Sequence, residues 1–205
     1  MNTKRRFLLF AALLLTLTGA ALIYISLNDL QSTKKNERKA LYEAKQMIEV
    51  EKKTPQQADK KTGISVKPSE RQQGDVVGIL EIPRLKAELP IIEGTDEDDL
   101  AKGVGHYKDT ALPEGKDQIL LSGHRDTVFR RLGELKKGDI LRIRMPYGDF
   151  DYSISDSEIV EADDRSIIKP TAPDEILTLS TCYPFSFVGD APQRYILTAF
   201  RKKAS

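Results

Sequence analysis

From Phe7 to Leu27 the chain reads FLLFAALLLTLTGAALIYISL, 21 residues without a charge, and this run limits the architecture before anything else does. A helix needs roughly 20 apolar residues to cross the hydrocarbon of a bilayer, where its backbone must satisfy its own hydrogen bonds. The run is therefore expected to be a transmembrane anchor. The rival reading is a cleaved signal peptide, with Lys4, Arg5 and Arg6 as its basic start and Thr18-Gly19-Ala20 as a small-residue cleavage site. The apolar stretch continues past Ala20 through Leu22, Ile23, Tyr24 and Ile25, beyond the roughly 7–15 apolar residues a signal peptide uses, which favours the anchor. Lys34, Lys35, Arg38 and Lys39 rival the basic cluster in front of the span, so charge bias alone does not orient it. Residues 1–6 carry no domain, and the simplest arrangement leaves them in the cytoplasm and exports the long C-terminal part.

Residues 28–75 are polar and read as a stalk and linker, with a helix expected over Glu37–Lys52 ahead of Thr54, Pro55, Gln56 and Gln57. The stripe Leu41, Ala44, Met47 and Ile48 suits packing on a domain or on a membrane surface equally well. From Val76 onward, short apolar runs are broken by Gly, Pro and Asp. Strands are expected at Val77–Ile82, Pro90–Ile92, Gln118–Ser122, Ile140–Met145, Asp149–Ile154, Glu158–Val160, Ile176–Thr181 and Tyr195–Phe200. Short helices are expected near Asp98–Lys102 and Thr127–Leu135. Residues 76–205 therefore read as one mainly β domain, closed or nearly closed into a barrel.

The formal net charge of the 205 residues is +1, which gives no electrostatic ground for a nucleic-acid partner. One cysteine excludes an internal disulfide and a multi-cysteine zinc site. Cys182 is thus either a small buried apolar residue or a reactive thiol. The period of two along Ile176–Cys182 sets Ile176, Thr178, Ser180 and Cys182 on one face, with the cysteine at the strand's end. If this strand and the next pair antiparallel with 182 opposite 194, then 180 faces 196, 178 faces 198 and 176 faces 200. Arg194 would then neighbour the thiol, favouring the thiolate and offering donors to an oxyanion. The alternative is an arginine that merely ends a hairpin.

Two histidines are available as a base. His124 follows the apolar strand Gln118–Ser122 after a glycine, where a loop can present a side chain, whereas His106 lies in Gly103-Val104-Gly105-His106-Tyr107 without an evident strand in front. This grammar favours His124, with a satisfied structural histidine as the alternative for each. Asp126 is either an orienting group for His124 or a turn residue. Thr95 with Asp98 fits a helix N-cap better than a calcium loop, and Glu161, Asp163 and Asp164 form another acidic cluster that a solvated turn explains just as well. No phosphate-cradling glycine loop is present.

Leu179-Ser180-Thr181-Cys182, the downstream Arg194 and the upstream Ser122-Gly123-His124-Arg125 resemble the signature of the sortases. The likeness extends through Val77-Gly78-Ile79-Leu80-Glu81-Ile82-Pro83, Pro90-Ile91-Ile92-Glu93-Gly94-Thr95 and Gly103–Tyr107. Thr181-Cys182-Tyr183-Pro184-Phe185 and Ala191-Pro192-Gln193-Arg194-Tyr195 are most similar to the class D group of Gram-positive bacteria. The resemblance implies an eight-stranded β-barrel with Cys182, His124 and Arg194 around a groove. It also implies cleavage of surface proteins after the threonine of an LPxT-like signal, and transfer of the acyl chain from Cys182 to an amine of the cell-wall precursor. His124 would act as acid and base, Arg194 would steady the oxyanion and the substrate backbone, and Thr181 would assist the oxyanion site. The implied setting is the outer face of the membrane. No cofactor or metal is required by this chemistry, and the acidic clusters leave calcium binding undecided. Two other readings use the same features: a cysteine peptidase that only hydrolyses, and a membrane-tethered binding module in which Cys182 is inert.

Overall fold

The computed structural model describes residues 3–53, 71–187 and 189–202. The linker expected between Thr54 and Glu70 lies outside the described residues. Two compact units are distinguished, Met1–Asn36 and Glu37–Ser205.

The first unit is the leading part of helix α1 (Thr3–Lys53), which is longer than the two separate helical stretches read from the sequence. Its apolar side chains, Leu13, Leu17, Leu22 and Ile23 among them, are exposed along the helix. The hydroxyls of Thr16 and Thr18 turn back onto backbone carbonyls of the preceding turn, so these polar groups ask nothing of a surrounding solvent. Among the described residues α1 is the one helix long and apolar enough to cross a membrane.

The described residues of the second unit form eight strands: β1 (Val76–Ile82), β2 (Ala87–Glu93), β3 (Val104–His106), β4 (Gln118–Ser122), β5 (Ile140–Met145), β6 (Gly148–Glu161), β7 (Ile176–Tyr183) and β8 (Gln193–Arg201). They close into a barrel in the order β1-β2-β3-β4-β7-β8-β6-β5. Closure removes every free edge. The β2/β3 and β4/β7 pairs are parallel and the others antiparallel.

Strand β5 shows how sequence sets the wall. Leu141, Ile143 and Met145 point inward and are buried, while Arg142 and Arg144 alternate outward. There Arg142 meets Asp151 through two hydrogen bonds of 2.6 and 3.1 Å. Strands β1 and β4 are buried on both faces. For β1 the outer cover is α1: Ala44 and Ile48 pack on Ile79, flanked by Leu41 and Val76, and Lys45 pairs with Glu88 at the rim. The stripe left open between domain and membrane surface therefore lies on the barrel, and burying Ile48 there contributes about 1.5–3 kcal/mol.

Three expectations are corrected. The strands placed at Asp149–Ile154 and Glu158–Val160 are one strand, β6, with a register shift between Ile154 and Asp156. The bulge turns a continuous strand into two unlike halves, the second largely exposed. The helix expected over Thr127–Leu135 reduces to turns and one 3-10 turn at Leu132–Glu134, because the Thr127 and Phe129 amides both bond to the His124 carbonyl. The short helix α2 (Glu97–Leu100) is capped by Asp96 and Asp99 in a reciprocal box, one residue later than Thr95 and Asp98.

Candidate active site

Strands β4 and β7 run side by side in parallel, with Ser122 paired to Ser180. The Gly123 amide extends the ladder by one bond, donating to the Ser180 carbonyl at 3.1 Å. His124 thus follows β4 two residues after Ser122, at the end of the barrel where Cys182 lies two residues after Ser180 and one before the end of β7. On the other side of β7, Cys182 is paired with Arg194 of β8, and 180/196, 178/198 and 176/200 follow in register as expected. The three residues therefore come from three adjacent strand ends at one rim.

Cys182 is half-buried, so its thiol is neither sealed in the core nor free in solvent. It shares its face of β7 with Ser180 and Thr178. The connection between β6 and β7 is tied to that region: Gln118 donates to Thr178 Oγ1 at 3.1 Å and to the Ile167 carbonyl at 2.7 Å, and accepts from the Lys169 amide at 3.1 Å. Asp117 holds the same connection through the Thr171 amide at 2.6 Å. That bond, followed by the Gln118 amide, keeps the Asp117 carboxyl below the usual carboxylate range. On the opposite side Tyr183, Phe185 and Tyr195 form an aromatic group with ring centroids 5.4–6.4 Å apart. Phe185 closes over Gly133, where a Cβ would meet its ring at 2.7 Å.

The backbone before His124 is held on all sides. Thr181, almost wholly buried, donates its hydroxyl to the Gly123 carbonyl at 2.7 Å. A Cβ on Gly123 would lie 2.7 Å from both Phe129 and Val128, so this close approach requires glycine. The His124 carbonyl then takes the Phe129 amide at 3.0 Å. Thr181's one hydroxyl proton is directed at Gly123 here, which places the side chain as a brace between β7 and the His124 loop. Arg194 is half-buried, and its Nη1 donates to the carbonyls of Ala191 at 3.2 Å and Gln193 at 3.0 Å. Asp126 is exposed, and its carbonyl receives the Arg130 guanidinium. His106 is the satisfied structural histidine: fully buried, with Nδ1 3.1 Å from Glu93 Oε2 and Nε2 2.9 Å from the Ala111 carbonyl.

A family model described as the sortase domain matches residues 80–202. The chain belongs to the sortase family. Sortases are cysteine transpeptidases, and among curated relatives this sortase is 59% identical to Sortase D of Bacillus subtilis (strain 168) over 137 residues, 67% of this chain and 68% of that one. Sortase A of Bacillus anthracis is 29% identical over 126 residues, 60% of this chain and 58% of that one. Among solved structures, a Clostridium perfringens Sortase D5 transpeptidase superposes with a TM-score of 0.67 at 25% identity, covering 82% of this sortase and 99% of that chain. The class D likeness read from the sequence agrees with the first of these relatives.

Sequence reading quoted Arg125 within the family signature but gave it no role; the structure buries it next to His124 with both terminal nitrogens on the β7–β8 connection. An arginine in a loop gives no signal of burial; only the long-range contacts reveal it.

Proposed function

We propose that this sortase cleaves proteins bearing an LPxT-like sorting signal after the threonine, holds the acyl chain on Cys182, and passes it to an amine of the cell-wall precursor. The observation that supports this most is the junction of strand ends. The register sets Arg194 opposite Cys182, and the parallel β4/β7 pair brings His124 to the same rim.

In this reading Cys182 Sγ attacks the threonine carbonyl carbon, and the negative charge that develops on the oxygen is met by donors of the Arg194 fork. The carbon–nitrogen bond breaks as His124 protonates the leaving amine. The acceptor amine then attacks the thioester and gives its proton back to His124. Release of Cys182 returns the cysteine–histidine pair to its starting proton count, so protons and electrons balance without a further reactant. The α1 span would hold the enzyme in the membrane with its N-terminus in the cytoplasm and the barrel facing the wall, where signal-bearing proteins and lipid-linked precursor are both presented.

The test uses the full chain in detergent, with an LPxT peptide, an amine acceptor and Cys182→Ala as control, read by mass spectrometry. An acyl adduct on Cys182 that resolves to the amine product is expected. Cleavage without amine-dependent product would instead identify a hydrolysing cysteine peptidase, and no reaction with any peptide of a library would leave the binding module.

A further inference from the structure

A guanidinium is seldom buried unless its donors are used. Arg125 is only 9% exposed, and it follows His124 directly. Its Nη2 donates to the Gly189 carbonyl at 2.8 Å, and its Nη1 lies 3.4 Å from the Pro184 carbonyl. The guanidinium carbon sits 5.9 Å from the Phe187 ring centroid. Pro184, Phe187 and Gly189 all belong to the connection between β7 and β8, which begins just after Cys182 and ends just before Arg194. Arg125 therefore reaches across 59 and 64 residues of sequence to hold a loop bounded by the thiol on one side and the guanidinium on the other.

We propose that Arg125 is a positioning residue of the transfer site, coupling the segment that carries His124 to the β7–β8 connection so that acid–base group and groove wall hold one relative geometry. This deepens the sortase reading and rests on it for the kinetic consequence. The physical reason is the fork. The planar head presents two parallel donors to two carbonyls at once, while a lysine ammonium is a single point on a longer leash. Both carbonyls lie in a connection whose residues Ser186, Phe187, Gly189 and Asp190 are exposed. Without the arginine they find water, so the loop is released rather than strained. The backbone around His124 retains its own bonds to Ser180, Thr181 and Phe129, and the primary loss falls on the peptide-facing wall.

The test compares wild type, Arg125→Met and Arg125→Lys as full chains in detergent, by two independent readouts. Steady-state kinetics with the LPxT peptide should show KM for the peptide rising on the order of tenfold to a hundredfold in R125M, the range that one charge-assisted hydrogen bond sustains. kcat should fall by a smaller factor. A variant that is merely less stable would instead lose active enzyme in proportion to its unfolded fraction, with KM unchanged. Hydrogen exchange should show faster exchange in R125M at the amides of Phe185–Phe187 and Gly189–Ala191, with the barrel strands as protected as in wild type. R125K should fall between the two in both readouts, and it carries the test alone if R125M does not fold. Unchanged loop exchange overturns the coupling whatever the activity, as does R125K equal to wild type in both exchange and KM. Wild type that turns over no peptide would sink the transferase reading, while the exchange comparison would still decide the tether.

Discussion

Replacing Thr181 by valine keeps the shape of a side chain that is only 3% exposed and removes its hydroxyl. The bond lost is the 2.7 Å donation to the Gly123 carbonyl. Gly123 is itself buried, so its carbonyl loses a partner that water cannot readily replace. Leaving such a group unsatisfied costs roughly 1–3 kcal/mol. At about 2–4 °C per kcal/mol for a chain of this size, the melting temperature should fall by about 2–12 °C. Thr181→Ser retains the hydroxyl and loses one methyl, about 0.8 kcal/mol, and should melt within a few degrees of wild type. Because the carbonyl immediately precedes His124, T181V should also lose on the order of tenfold or more in kcat/KM through displacement of the imidazole, while T181S retains most of it. Thermal melts and peptide kinetics on the three proteins check both halves. T181V melting like wild type would refute the brace. If such a stable T181V were nevertheless inactive, the hydroxyl would belong to the oxyanion site instead.

Two further perturbations test other parts of the structure. Asp117's folded-state carboxyl lies below its ordinary range because it accepts amides of Thr171 and Gln118. A depressed carboxylate stabilises the fold above its unfolded pKa and loses that contribution as pH falls through the folded value. Asp117→Asn should therefore melt lower at neutral pH and lose less on acidification below about pH 4 than wild type does, checked by melts across that range; parallel acid limbs in the two proteins would contradict it. Ile48→Asp places a charge where Ala44 and Ile79 now pack. The desolvation cost of several kcal/mol exceeds the about 1.5–3 kcal/mol that Ile48 contributes, so the Glu37–Lys53 part of α1 should release from the barrel. Limited trypsin digestion should then cut faster at Lys39 and Lys45; an unchanged digestion pattern would place the helix's hold elsewhere.

The register of the β7–β8 hairpin was legible because both runs are β-rich and of matching length, with the cysteine and arginine at their facing ends. β3 was not legible. Val104, Gly105 and His106 make a three-residue strand in which Gly105 serves close approach, a Cβ there meeting the Gly94 carbonyl at 2.4 Å, rather than any period of two. The continuity of β6 was not legible because Asp156, Ser157 and Glu158, where its two expected pieces join, are exposed and carry no burial pattern. At the rim, the residue types of Cys182, His124 and Arg194 were visible, as was their neighbourhood by resemblance. The burial of Arg125 and the direction of the Thr181 hydroxyl depend on contacts spanning some 58 residues or more, which no local pattern encodes.

The parallel pairing of β4 with β7 separates the thiol from the imidazole by most of the barrel's second half in sequence. Among the described strands, β8 fills the gap between β7 and β6. During synthesis His124 is complete long before Cys182 exists, and Arg194 arrives later still. Contacts of such high sequence separation form late, because the cost of closing a long loop comes before their reward. Until β8 pairs with β7, Cys182 therefore lacks the Arg194 neighbour that the register gives it. The juxtaposition of Cys182 with Arg194 is completed only when β8 closes the barrel between β7 and β6.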